Sequence, residues 1–122
     1  MNYKVIKPET IHKSMMGNPE MIKQFIAIYL EQSPIDFQTL ELSLIENDTQ
    51  AIGDNAHHIK PTMEYIGASS LRMAFQDLEN MSKSNLKAEL IHEKFEEIKP
   101  IFQLMIEELT AFSKEIGDTV QK

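Results

Sequence analysis

The sequence contains no cysteine, which excludes both a disulfide framework and a thiolate metal site. That absence is compatible with a reducing compartment. Arginine is nearly missing too: Arg72 stands alone, and 12 Lys and Arg against 19 Asp and Glu leave a formal net charge of −7. Nucleic-acid binding leans on clustered Lys and Arg, so neither a phosphate backbone nor an anionic membrane surface is an expected partner. No apolar run approaches the ~18 to 20 residues that a membrane span needs. The opening MNYKVIKPE is basic but has no hydrophobic signal core. These absences lead to the expectation of a cytoplasmic protein. Strand signals are lacking as well, because no segment alternates with period two or is enriched in Val, Ile and Thr. There is no low-complexity tract and no internal repeat that aligns.

What is present is helical periodicity. At 122 residues and 42% hydrophobic content, the chain has the size of one domain that can bury about two-thirds of its unfolded surface. An N-terminal segment, 1–17, contains a short helix from Pro8 that Gly17 ends. A helical core spans 18–116, and 117–122 form a fraying tail. Within the core, Asn18 and Pro19 start a helix through about Gln32. Its apolar residues, from Met21 to Leu30, cover a face wide enough for contact on more than one side. Ser33, Pro34 and Asp36 repeat the start signal and predict a second helix to about Glu46, with Phe37, Leu40 and Leu44 inward. Asn47 and Asp48 break that helix and cap the next, with Gln50 placed as in a capping box.

After Gly67, Ser69 or Ser70 opens a helix with the stripe Leu71, Ala74, Phe75, Leu78 and Met81, and residues 82–85 form a loop. The last helix carries Ile91, Phe95, Ile98, Phe102, Met105, Leu109, Phe112 and Ile116, alternating four and three apart, the seam of a helix nearly parallel to its neighbours. Pro61 and Pro100 fall off their helices' stripes and predict solvent-side bends. The fold class is therefore all-α, an antiparallel four-helix bundle with one or two additional N-terminal helices.

The chain is organised around Thr49 to Ser70. Ile52, Ala56, Ile59, Met63 and Ile66 form one apolar stripe. At about 100° per residue, His57 and Pro61 point away from it, and Lys60 sits at its edge on the same side. The hydrogen bond that Pro61 removes is the one to the carbonyl of His57 itself, where water can substitute.

The run Ala56, His57, His58, Ile59, Lys60, followed by Gly67, Ala68 and Leu71 and then by Leu78 and Glu79, resembles the signature of histidine-containing phosphotransfer (HPt) domains. The likeness extends roughly from Asn18 to Phe112. Ile59 replaces the family's Leu and keeps its apolar role. Pro61 replaces a glycine; it is compact but does not reproduce the bare backbone.

The resemblance implies a phosphorelay intermediate that is not an enzyme in the turnover sense. Nε2 of His57 would accept a phosphoryl group from one receiver-domain aspartate and pass it to another. Neutral imidazole can attack phosphorus, and with an unperturbed pKa of about 6.5 an exposed ring is largely neutral at cytoplasmic pH. Lys60, one turn on, is positioned to stabilise the transferred group, a charge pair worth about 1 to 4 kcal/mol at ~4 Å. Pro61 and Glu64 are expected on the docking face. The chain itself is expected to hold no cofactor or metal. The partners implied are response-regulator receiver domains, bringing their own aspartate, Mg²⁺ and lysine, and a hybrid sensor histidine kinase.

His58, about 100° round from His57, reads as a flank residue, and His12 and His92 as surface positions. Met15, Met16 or Met21 would supply an apolar docking patch. A monomer is expected, and the opening Met1 points to a free-standing chain. Two other readings compete: an HPt-like interaction module that binds receivers without transfer, with Pro61 as the scar, and a metal-binding bundle using His57, His58 and nearby carboxylates.

Overall fold

The computed structural model describes residues 2–84 and 86–121 and contains five helices, with no strand among the described residues. They are α1 (Pro8–Ser14), α2 (Pro19–Ile45), α3 (Thr49–Tyr65), α4 (Ser69–Lys83) and α5 (Ala88–Gln121). α2 packs on α3, α3 on α4, α4 on α5, and α5 back on α2, closing a four-helix bundle, while α1 lies against α3. Short connections between successive helices make bundle neighbours antiparallel.

The expected stripes are the core. All eight positions from Ile91 to Ile116 are buried, as are Ile52, Ala56, Ile59, Met63 and Ile66. Phe37 ties the middle together by stacking on Phe102 with centroids 4.0 Å apart and on Phe95 at 4.9 Å, while Phe75 meets both Phe37 and Phe102 edge-on. No described helix is long and apolar enough to cross a membrane.

Several local expectations are corrected. Ser33 and Pro34 do not start a helix, because α2 runs unbroken for 27 residues with Pro34 inside it. Ser33 is buried in phase with Ile22, Ile26, Leu40 and Leu44, so it packs rather than caps. Pro34 faces solvent, where the carbonyl it frees is less costly to leave, and burial along one continuous face outweighs the ~3 kcal/mol that an interior proline costs. The apolar face at the start of α2 is also less engaged than expected, since Met21 and Ile28 are exposed.

The N-cap of α3 is Asp48, which accepts from the Ala51 N–H. Asn47 instead ends α2 at φ +53°, so Gln50 makes no capping box and bonds Asp54. α4 begins behind Ala68 with no side-chain cap. Ser82 and Lys83, expected in a loop, are its last turn, while Asn85 of that loop lies outside the described residues. The backbone of α5 is helical to Gln121, and Lys122 lies outside the described residues.

Gly67 closes α3 as expected, at φ +73°. The Gly67 N–H donates to the Glu64 carbonyl and the Ala68 N–H to the Met63 carbonyl, the paired bonds of a Schellman ending. A Cβ there would lie 2.7 Å from Lys7 Cβ and 3.0 Å from Thr10 Cβ. Gly67→Ala therefore combines left-handed strain with a clash, and a loss of about 2–4 kcal/mol is expected by urea denaturation.

Candidate functional site

The site forms beside a tight contact between α3 and α4. Gly53 of α3 faces Ser82 of α4, and a Cβ on it would come within 2.8 Å of Ser82 Oγ. This close approach lies one turn before His57 and one turn after Glu79, and it brings those two side chains together. His57 Nδ1 lies 3.3 Å from Glu79 Oε1, with the ring 68% exposed and the carboxylate only 5%.

Glu79 is the hub. Lys60 Nζ donates to Oε1 at 2.8 Å and Lys83 Nζ to Oε2 at 2.8 Å. Lys60 also reaches Gln76 Oε1. Burial pushes the Glu79 carboxyl upward, but hydrogen bonds from Lys60, Lys83 and His57, with the charge of Lys60, outweigh it and hold the group down at about 2. Glu79 is thus ionised at neutral pH and can only accept hydrogen bonds. The Nδ1 atom facing it is then the protonated nitrogen, which leaves the Nε2 lone pair available.

An open pocket of about 280 Å³ beside the ring is lined by His57, Lys60, Pro61, Glu64, Tyr65 and Arg72. All four residues singled out in the sequence, His57, Lys60, Pro61 and Glu64, meet there. α3 continues through Pro61, which faces solvent. Sequence reasoning missed Arg72, whose Nε contacts Glu64 Oε2 at 3.3 Å, and Gln76. It also noted Glu79 only as half of a motif pair, because the burial and the meeting with His57 that single it out are set by the fold.

The other histidines separate from the site. His58 Nε2 lies 3.7 Å from Asp36 on α2, consistent with a flank position. His92 is half-buried, 3.2 Å from Asn47 Oδ1, and His12 meets Phe112 edge-on. Among the described residues no group of three or more acids and histidines could hold a metal ion. Met15 is buried in the core and cannot serve an exposed patch, whereas Met16 and Met21 are exposed. Tyr65, half-exposed at the pocket, meets Phe25, which in turn meets Tyr29. The Tyr29 hydroxyl is shifted upward by burial and by the neighbouring Tyr65.

A protein-family model for the Hpt domain matches residues 24–112. The chain belongs to the Hpt domain family. Searches of curated proteins and of solved structures each found no match. As an Hpt domain, it is a phosphotransfer module of two-component signalling, a phosphocarrier rather than a catalyst, whose partners are receiver domains and kinases.

Proposed function

We propose that this Hpt domain is a stoichiometric carrier in a histidine-to-aspartate relay, taking a phosphoryl group from one receiver aspartate onto His57 and passing it to another. It works in the cytoplasm, downstream of a hybrid sensor histidine kinase. The observation that supports this reading is the exposed His57 ring held through Nδ1 by an ionised, buried Glu79. In accepting, the Nε2 lone pair forms the N–P bond while the bond from phosphorus to the aspartyl oxygen breaks, its electron pair staying on the receiver carboxylate. The ring becomes positively charged with its proton still on Nδ1, facing Glu79. Donation runs the same steps in reverse.

Lys60 places positive charge beside the transferred group, shared with Glu79. Pro61 and Glu64 form the face on which a receiver seats, and Met21 and Tyr65 add apolar contact. In-line transfer needs further charge and a metal at the phosphoryl oxygens; the receiver brings these as its own lysine and Mg²⁺. With a ³²P-phosphorylated receiver, acid-labile and alkali-stable label is expected on His57 of the wild-type chain and none on His57→Gln. Absence of label on the wild type, or equal label on the variant, would sink the proposal.

A further inference from the structure

The pocket beside His57 holds two cations, and they are committed to very different degrees. Lys60 is 15% exposed and bonded to the buried Glu79 and to Gln76. Moving it would strip a buried carboxylate of a partner, a costly change. Arg72 touches Glu64 through Nε at 3.3 Å, with the two side chains 40% and 67% exposed. Exposed pairs of this kind stabilise little, so the guanidinium is easily drawn off by a stronger anion.

A phosphoryl group on Nε2 would be that anion. It brings close to two negative charges and three acceptor oxygens into the pocket that Glu64 and Arg72 both line. The planar guanidinium fork matches phosphate oxygens two at a time, which adds geometric specificity to the charge. We propose that Arg72 is a phosphoryl-binding residue held by Glu64 while His57 is bare, and that it exchanges the carboxylate for the phosphoryl oxygens once the ring is loaded. This rests on His57 being the phosphoacceptor. Glu64 then limits how tightly the group is held, both by competing for Arg72 and by its own charge.

Arg72 is the only arginine, so its Nε–H gives a single, unambiguous signal in a ¹⁵N-edited NMR spectrum of the full chain. The phosphoryl source is inorganic phosphoramidate, which removes receiver docking from the experiment. The Nε2 lone pair forms the N–P bond, the phosphorus–nitrogen bond of the reagent breaks, and its electron pair leaves on ammonia. In the wild type a phosphohistidine ³¹P resonance is expected together with a displaced Nε–H signal; His57→Gln should show neither. Arg72→Gln should raise the titration midpoint of the phosphoryl group by about one pH unit, with part of this recovered in Arg72→Lys. Glu64→Gln should lower the midpoint, and by less in the Arg72→Gln background.

A phosphohistidine that forms while the Nε–H signal stays in place overturns the proposal. So does a Glu64→Gln effect of equal size with and without Arg72, or an Arg72→Gln effect seen only in transfer from a receiver. A wild-type chain that gives no phosphohistidine overturns it together with the reading on which it rests.

Discussion

Glu79→Ala is expected to lower stability by about 3–5 kcal/mol, the range for removing one partner of a buried ion pair, and to slow phosphoryl uptake by His57 at least tenfold. Most of the stability loss comes from Lys60, which is 15% exposed and keeps Gln76 as its remaining partner; Lys83 is 68% exposed and water replaces its loss. The uptake loss has another source. Without the acceptor at Nδ1, the proton is free to move to Nε2, where it occupies the lone pair that must attack. Glu79→Gln separates the two effects, because an amide oxygen can still accept from Nδ1 while its charge is gone. It should recover uptake better than stability, as measured by urea denaturation beside a labelling time course.

The same residue sets an acid limit. Its carboxyl lies at about 2 in the folded chain against an ordinary 4.5, so the unfolded state binds the proton first on acidification. The stability it contributes is complete above about pH 4.5 and is lost as pH falls from there toward about 2. Glu79→Gln should lack that part of the acid slope.

Glu108→Gln should cost about 3 kcal/mol although it replaces a single heavy atom. Glu108 is buried in α5, and its carboxylate accepts three consecutive backbone N–H groups: Lys4 on Oε2 at 2.9 Å, and Val5 and Ile6 on Oε1 at 2.9 and 3.0 Å. A glutamine has one oxygen and an NH₂ group that is itself a donor. Whichever way it turns, at least one backbone donor faces another donor, at about 1–3 kcal/mol for each buried group left unpaired, and the charge-assisted strength of the other bonds is lost. Amide hydrogen exchange is the direct check: the N–H groups of Lys4, Val5 and Ile6 should become fast while Met105 and Leu109 stay protected. Because the Lys7 N–H donates to the Ile66 carbonyl at 3.0 Å, loosening this segment also weakens the ending of the helix that carries His57.

The parts of this molecule legible in the sequence are those governed by local periodicity. The eight-residue seam of α5, the inward stripe of α3 and the outward direction of His57 follow from spacing alone. Pro34 shows where local reasoning fails. Ser33, Pro34 and Asp36 spell a helix start, yet the same letters suit a helix that tolerates proline on its wet face. What decides between them is whether Ser33 lies in phase with Ile26 and Leu40, a question about burial. Glu79 and Glu108 fail for another reason. Each looks like an ordinary helix acid until the fold brings it against His57 and Lys60, or against backbone groups more than 100 positions earlier. Arg72 was noticed only for its rarity, since its meeting with Glu64 depends on how α4 returns beside α3.

Pro61 carries a consequence for whatever seats over the imidazole. Having no N–H, it cannot donate to the His57 carbonyl, so the residue that presents the ring also presents a main-chain oxygen relieved of its usual intrahelical donor. Along a helix interior without proline a visiting surface meets side chains only. On the proposed reading, a backbone amide or hydroxyl of the docking protein would find an acceptor at a fixed offset from Nε2, a register mark that a glycine at this position, with its own N–H, would have kept covered.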